Sequence, residues 1–208
     1  VSAATPDVPP RPRRRRMSRA ERERQMLDVA KELFGEHGYH AASMDEIARR
    51  CGVSKPMIYE YFGSKEGLML ACLRLSQAEL YEVTQKGIAG ATTPRDILTR
   101  GMLAYFEFVG SNRRSFAMAL AELAATPEAA AAVEEIRLQQ SALIRDVLRT
   151  FASGAPDDHV AAFTEIIMGA SERLALWQVR HADVTAEQAA TYMSDFCWHG
   201  LSPYLADA

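Results

Sequence analysis

Between positions 43 and 65, hydroxyl and ammonium groups gather at the starts of short predicted helices: Ser43, Ser54, Lys55, Tyr59, Tyr61 and Lys65. The start of a helix carries partial positive charge and free backbone N–H groups, so donors placed there suit a phosphate oxygen. The elements that would hold them are short. Ser43-Met44-Asp45-Glu46 has the form of a capping box before a helix that ends at Gly52, and Ser54 caps a second helix with Pro56 in its first turn. That second helix ends near Tyr61, before Phe62-Gly63, and is too short to be a core helix in its own right. Two short capped helices joined by a tight turn form the helix-turn-helix pattern, in which the second helix enters the major groove N-terminus first. The competing reading of the same spacing is a pair of packing helices with ordinary caps.

The charge distribution agrees with a polyanion partner. The 208-residue chain has a formal net charge of −3, yet residues 1–65 hold 13 basic against 9 acidic residues, leaving 11 against 18 for the remainder. Pro6, Pro9, Pro10 and Pro12 deny the first 18 residues a helix, and Arg13, Arg14, Arg15 and Arg16 repel one another, so this segment reads as a disordered basic arm. It has no apolar stretch behind its arginines, and a secretory signal is not expected. No apolar run is long enough to span a membrane. Cys51, Cys72 and Cys197 are far apart and read as reduced, buried thiols of a cytoplasmic protein.

The rest of the chain has helical periodicity throughout and no β alternation. Leu27, Ala30 and Phe34 mark the first helix, ended near Gly38, and Ser64 caps a fourth helix running to about Lys86. Further helices are expected over about Pro94 to Val109, about Arg113 to Ala125, and from Pro127 to about Phe151. Another carries Val160, Phe163, Ile167, Ala170, Leu174 and Trp177, with Ile166 and Leu176 on its other face, and Thr185 with Gln188 forms a capping box before the last. The expected fold is all-α, with about nine helices. Residues 1–18 form the arm, 19–65 a three-helix unit, and 66–208 a larger helical unit. Five histidines show no metal-ligand spacing, and the chain has no phosphate-binding glycine loop and no G-x-S-x-G. An enzyme is not expected, nor a metal or a cofactor.

The stretch over residues 20–70 resembles the tetracycline-repressor (TetR) family of bacterial regulators. The resemblance lies in Phe34-Gly35-Glu36-His37-Gly38-Tyr39, Ser43, Ile47-Ala48, Gly52-Val53-Ser54, Tyr59-Glu60-Tyr61-Phe62 and Ser64-Lys65-Glu66. It implies double-stranded DNA as partner, bound by a homodimer at an inverted-repeat operator. It implies phosphate contacts from Ser43, Tyr59, Tyr61 and Lys65, and places Ser54, Lys55, Pro56 and Met57 at the groove-facing start of the recognition helix. Arg14, Arg15 and Arg16 resemble the basic extensions that some members lay on DNA. The last two helices resemble the family's dimer element, which implicates Phe163, Ile167, Ala170, Leu174, Trp177, Tyr192 and Phe196. The middle helices resemble the layer that encloses an effector. There Met102, Tyr105, Phe106, Val109, Phe116, Ala119, Gln140 and Leu143 would hold an apolar or aromatic small molecule, with Glu122, Gln140 and Glu107 available to orient it. The implied function is a repressor released by a small-molecule effector. The alternative is a DNA-binding regulator without small-molecule input, controlled by a protein partner or by its expression level.

Overall fold

The computed structural model describes residues 17–114, 116, 127–152 and 154–201. Eight helices are present among them: α1 (Arg19–Ala41), α2 (Met44–Cys51), α3 (Lys55–Phe62), α4 (Lys65–Ile88), α5 (Pro94–Ser111), α6 (Pro127–Phe151), α7 (Asp157–Arg180) and α8 (Ala186–Leu201). Nine were expected. The additional one, over Arg113 to Ala125, falls mostly outside the described residues, as does the basic arm with Arg14, Arg15 and Arg16. No strand occurs among the described residues.

Two separate apolar clusters hold the helices. The first draws Met26, Leu27, Ala30, Leu33 and Phe34 from α1, spaced so that one face of the helix is covered. Against them pack Met44, Ile47, Ala48 and Cys51 of α2, Ile58 of α3, and Leu68, Met69 and Cys72 of α4. Side chains of this size contribute about 1.5–3 kcal/mol each when fully buried. The second cluster joins Phe106 and Val109 of α5 to Val160, Ile167 and Ala175 of α7 and to Ala189, Ala190, Met193 and Cys197 of α8.

Local chemistry sets the boundaries. At the start of α1, Ser18 and Glu21 close a reciprocal capping box. The Ser64 hydroxyl accepts from the Gly67 N–H at 2.9 Å, and Thr93 caps α5 in the same way through Asp96. The Thr185 box forms as expected, with the Thr185 N–H on Gln188 and the Gln188 N–H on Thr185. The Ser43 box does not form. Ser43 sits at the N-cap of α2 but its hydroxyl accepts no cap hydrogen bond, and the Glu46 carboxylate that would complete the box is held instead by Arg49 and Arg50 one turn further on. Those two guanidiniums also hold the Glu46 carboxyl down to about 2. Gly67 is required by packing: a Cβ there would lie 2.0 Å from the Phe62 carbonyl oxygen, where α4 starts against the end of α3.

The three cysteines are buried and unbridged. Burial pushes the Cys72 thiol up to about 12 and that of Cys197 up to about 11. No helix among the described residues is long and apolar enough to cross a membrane, and no cluster of His, Cys, Asp or Glu suited to a metal occurs among them.

Candidate functional site

Gly52 makes the turn between α2 and α3. It is left-handed (φ 66°, ψ 32°), a conformation that glycine adopts at low cost, and its N–H reaches the Ala48 and Arg49 carbonyls. Ser54 is extended at the N-cap of α3, and Pro56 occupies the first turn. Ile58 is the one fully buried residue of α3 and pins it to the first cluster. Met57, Tyr61 and Phe62 pack partly against the same cluster, and the remaining face of α3 looks outward. Pro56, Tyr59 and Glu60 are exposed, and Lys55, Met57 and Tyr61 are half-buried. Neither Ser43 nor Ser54 uses its hydroxyl to close its own cap, so both hydroxyls remain on the outer face beside the N-termini of α2 and α3.

Each lysine of this face has a partner. Lys55 Nζ meets the Asp45 carboxylate at 2.9 Å. Lys65 Nζ donates to the His40 carbonyl at 3.1 Å and stands 4.8 Å from the centre of the Tyr39 ring. The Arg19 guanidinium lies 5.1 Å over Tyr61. These exposed, easily exchanged contacts hold cations in position at small cost. The sequence did not show that Asp45, Arg19 and Tyr39 would meet Lys55, Tyr61 and Lys65. The Asp45 link joins residues ten positions apart and becomes visible only once the turn at Gly52 is formed.

A second feature lies between α4, α5, α6 and α7: a cavity of about 700 Å³. Of the residues expected to hold a ligand, Met102, Tyr105, Gln140 and Leu143 line it. Phe106 and Val109 do not. Both are fully buried in the second cluster, facing α7 and α8. Phe116 packs against that cluster as well. Glu107 is exposed to solvent, and Ala119 and Glu122 lie outside the described residues. Most of the wall was not anticipated. It includes Leu80, Tyr81 and Ile88 of α4, Ile97 and Leu98 of α5, Val147 and Leu148 of α6, and Met168 of α7. Tyr105 is half-buried, and desolvation, with the nearby Glu172 carboxylate, raises its hydroxyl above the usual tyrosine range.

Along α7 and α8, the expected dimer residues divide. Ile167 is taken up inside the protomer, in the second cluster and the cavity wall, and Phe163, Ala170, Leu174 and Trp177 are half-buried against the same cluster. Tyr192 and Phe196 are 54% and 62% exposed, one turn apart on α8. Ile166, on the other face of α7 from the stripe, is 49% exposed. The Tyr192 ring lies 6.5 Å from that of Trp177, so the outward residues of α8 adjoin α7.

Two family models match the chain. Residues 26–72 match "Bacterial regulatory proteins, tetR family", and residues 94–200 match "Tetracyclin repressor-like, C-terminal domain". Among curated relatives, the HTH-type transcriptional activator FasR of Mycolicibacterium smegmatis is 40% identical over 101 residues, 49% of this chain and 46% of that protein. The HTH-type transcriptional regulator BetI of Rhizobium meliloti is 37% identical over 75 residues, 36% of this chain and 37% of that protein. The match thus takes in less than half the length of either relative. A TetR-like transcriptional regulator from Rhodococcus sp. RHA1 superimposes with a TM-score of 0.71 at 30% identity, over 90% of this chain and 99% of that one. FadR from Bacillus subtilis, solved in complex with stearoyl-CoA, shares the fold with a TM-score of 0.75 at 18% identity, over 84% of this chain and 96% of that one. With one model on the helix-turn-helix, a second over half the chain and a 30%-identical structure spanning nearly all of it, the chain belongs to the TetR family of bacterial transcriptional regulators.

Proposed function

We propose that the chain acts as a two-fold dimer that represses from an inverted-repeat operator and is released when an apolar small molecule fills the α4–α7 cavity. In this reading residues 19–65 form the DNA-binding unit, with 1–18 as a basic arm on the DNA, and 66–208 form the sensing and dimer unit. The observation that carries it is the double duty of α4. The helix begins at Lys65 and puts Leu68, Met69 and Cys72 into the helix-turn-helix core, while its later turns, from Arg74 to Ile88, form one wall of the cavity. Glu79 fastens the same helix to α1, one carboxylate oxygen on Lys31 at 2.6 Å and the other on Arg24. A ligand that favours one tilt of α4 therefore moves the DNA-reading helix with it. Its leverage equals its differential affinity for the two tilts. The stearoyl-CoA held by FadR is consistent with an apolar occupant.

Two measurements test the two halves of this reading. On the DNA side, Lys65→Ala is expected to weaken binding to every sequence and to lower the slope of log affinity against log salt by about 1. Lys55→Ala is expected to cost about 1–3 kcal/mol on the operator alone, by loss of a groove contact. Fluorescence anisotropy over a salt series checks both, and equal losses on operator and random DNA for Lys55→Ala would remove that lysine from the groove. On the ligand side, Leu143→Trp puts an indole into the cavity. It is expected to leave operator affinity unchanged and to abolish release by any compound that raises the melting temperature of the wild type. A normal response in this variant would place sensing outside the cavity.

A further inference from the structure

The cavity wall is not uniform. Ile97, Leu98, Met102, Leu143, Val147 and Leu148 make an apolar floor, and among the described residues the charged ones that line the cavity are Arg74, Glu135 and Glu172. Glu172 is committed, both of its oxygens accepting from Arg137 at 3.1 and 2.8 Å. Arg74 is not held in this way. It meets Glu135 across the α4–α6 boundary at 3.6 Å, with the two side chains 61% and 58% exposed. One turn further along α4, Gln77 Nε2 donates to Gln139 Oε1 at 2.7 Å. These two links are successive rungs between α4 and α6 at the rim of the cavity, and both lie at the solvent surface.

We propose that the rim is a head-group site and that the cavity takes an amphiphile with an anionic head, a carboxylate or a phosphate, whose apolar body fills the Leu98–Leu148 floor. The proposal rests on the reading of the cavity as the ligand site and names the class of its ligand. The anionic head draws Arg74 away from Glu135 and the Gln77 amide away from Gln139. Arg74 suits that exchange. Its planar fork of N–H donors matches a carboxylate or phosphate, and a guanidinium is weakly hydrated and tolerates the lip of an apolar cavity. The tie it gives up is a single long, exposed ion pair, which holds little. Of the acidic residues lining the cavity among the described residues, Glu172 already has both oxygens on Arg137, and Glu135 is 58% exposed to water.

Calorimetric titration of the full chain with decanoate, decan-1-ol and decyltrimethylammonium, each below its micelle concentration, tests this. These probes share one apolar chain and differ in the head. Decanoate is expected to bind at least about tenfold more tightly than the alcohol, as a charge-assisted pair would give, and the cationic probe more weakly than the alcohol. Arg74→Met is expected to erase the preference for decanoate and to keep the affinity for decanol, while Arg74→Lys retains part of the preference. Arg74 is exposed, so these variants fold. Equal binding of decanoate and decanol, a preference for the cation, or a preference that survives Arg74→Met overturns the head-group site while leaving the cavity as a ligand site. If none of the probes binds, or if Leu143→Trp binds them as the wild type does, the cavity reading falls and this inference with it.

Discussion

Phe196→Arg is expected to turn a two-chain particle into a one-chain particle and to cost it nearly all operator binding. Phe196 and Tyr192 stand more than half exposed on one face of α8, and Ile166 is nearly half exposed on the neighbouring α7. Large apolar side chains grouped on one face mark an interaction surface when they are contiguous. In a two-fold interface each residue faces the same surface of its partner, so one substitution places two arginines in a shared apolar contact. Burying unpaired charges there outweighs what the interface gains. Losing the second DNA-reading head then removes the avidity of a bivalent contact, about 10²–10⁴-fold in affinity. Phe196 is exposed in the single chain, so the monomer keeps its core, and circular dichroism should be unchanged. Light scattering at micromolar concentration reads the mass. A dimer that survives Phe196→Arg would move the interface away from α8.

Phe34→Ala is expected to remove DNA binding by a different route. Phe34 is fully buried, stacks at a tilt 5.8 Å from Tyr39, and lies at the centre of the cluster shared by α1, α2, α3 and α4. Truncating a buried phenylalanine costs about 3–5 kcal/mol through lost transfer energy and the cavity left behind. That is a large share of the roughly 5–15 kcal/mol that holds a typical protein folded. The second cluster draws its buried residues from α5 to α8 and does not include Phe34. The variant should therefore lose operator binding and show an early transition on heating, yet still bind ligand in the α4–α7 cavity. Retained operator affinity with an unchanged melting profile would contradict the central place given to this residue.

The helix-turn-helix was legible because its geometry is written in special residues. Gly52, Ser54, Pro56 and Ser64 each answer a local backbone demand, and the local demand alone fixes the element. Where two local interactions compete, sequence form was not enough. Ser43 and Glu46 have the spacing of a capping box, but Arg49 and Arg50 at three and four positions on take the carboxylate. The cavity was legible only in part, because an apolar side chain reads the same whether it packs against a neighbour or faces open space. Phe106 and Leu143 are alike in sequence and differ in what lies in front of them. Along α7, the regular stripe from Phe163 to Trp177 packs against the protomer's own core, while its half-buried members Phe163, Ala170, Leu174 and Trp177 keep surface open to a partner. The outward Ile166 carries no periodic signal of its own, so the pattern could not show which face meets a partner.

The most direct test of the account is selection of bound sequences from a pool of random double-stranded DNA, with the complex weighed in solution. Enrichment of two half-sites in inverted orientation is expected, their centres about one helical turn or 34–36 Å apart or a multiple of it, bound by an even number of chains. Enrichment of a single half-site or of a direct repeat, bound by one chain, would contradict it.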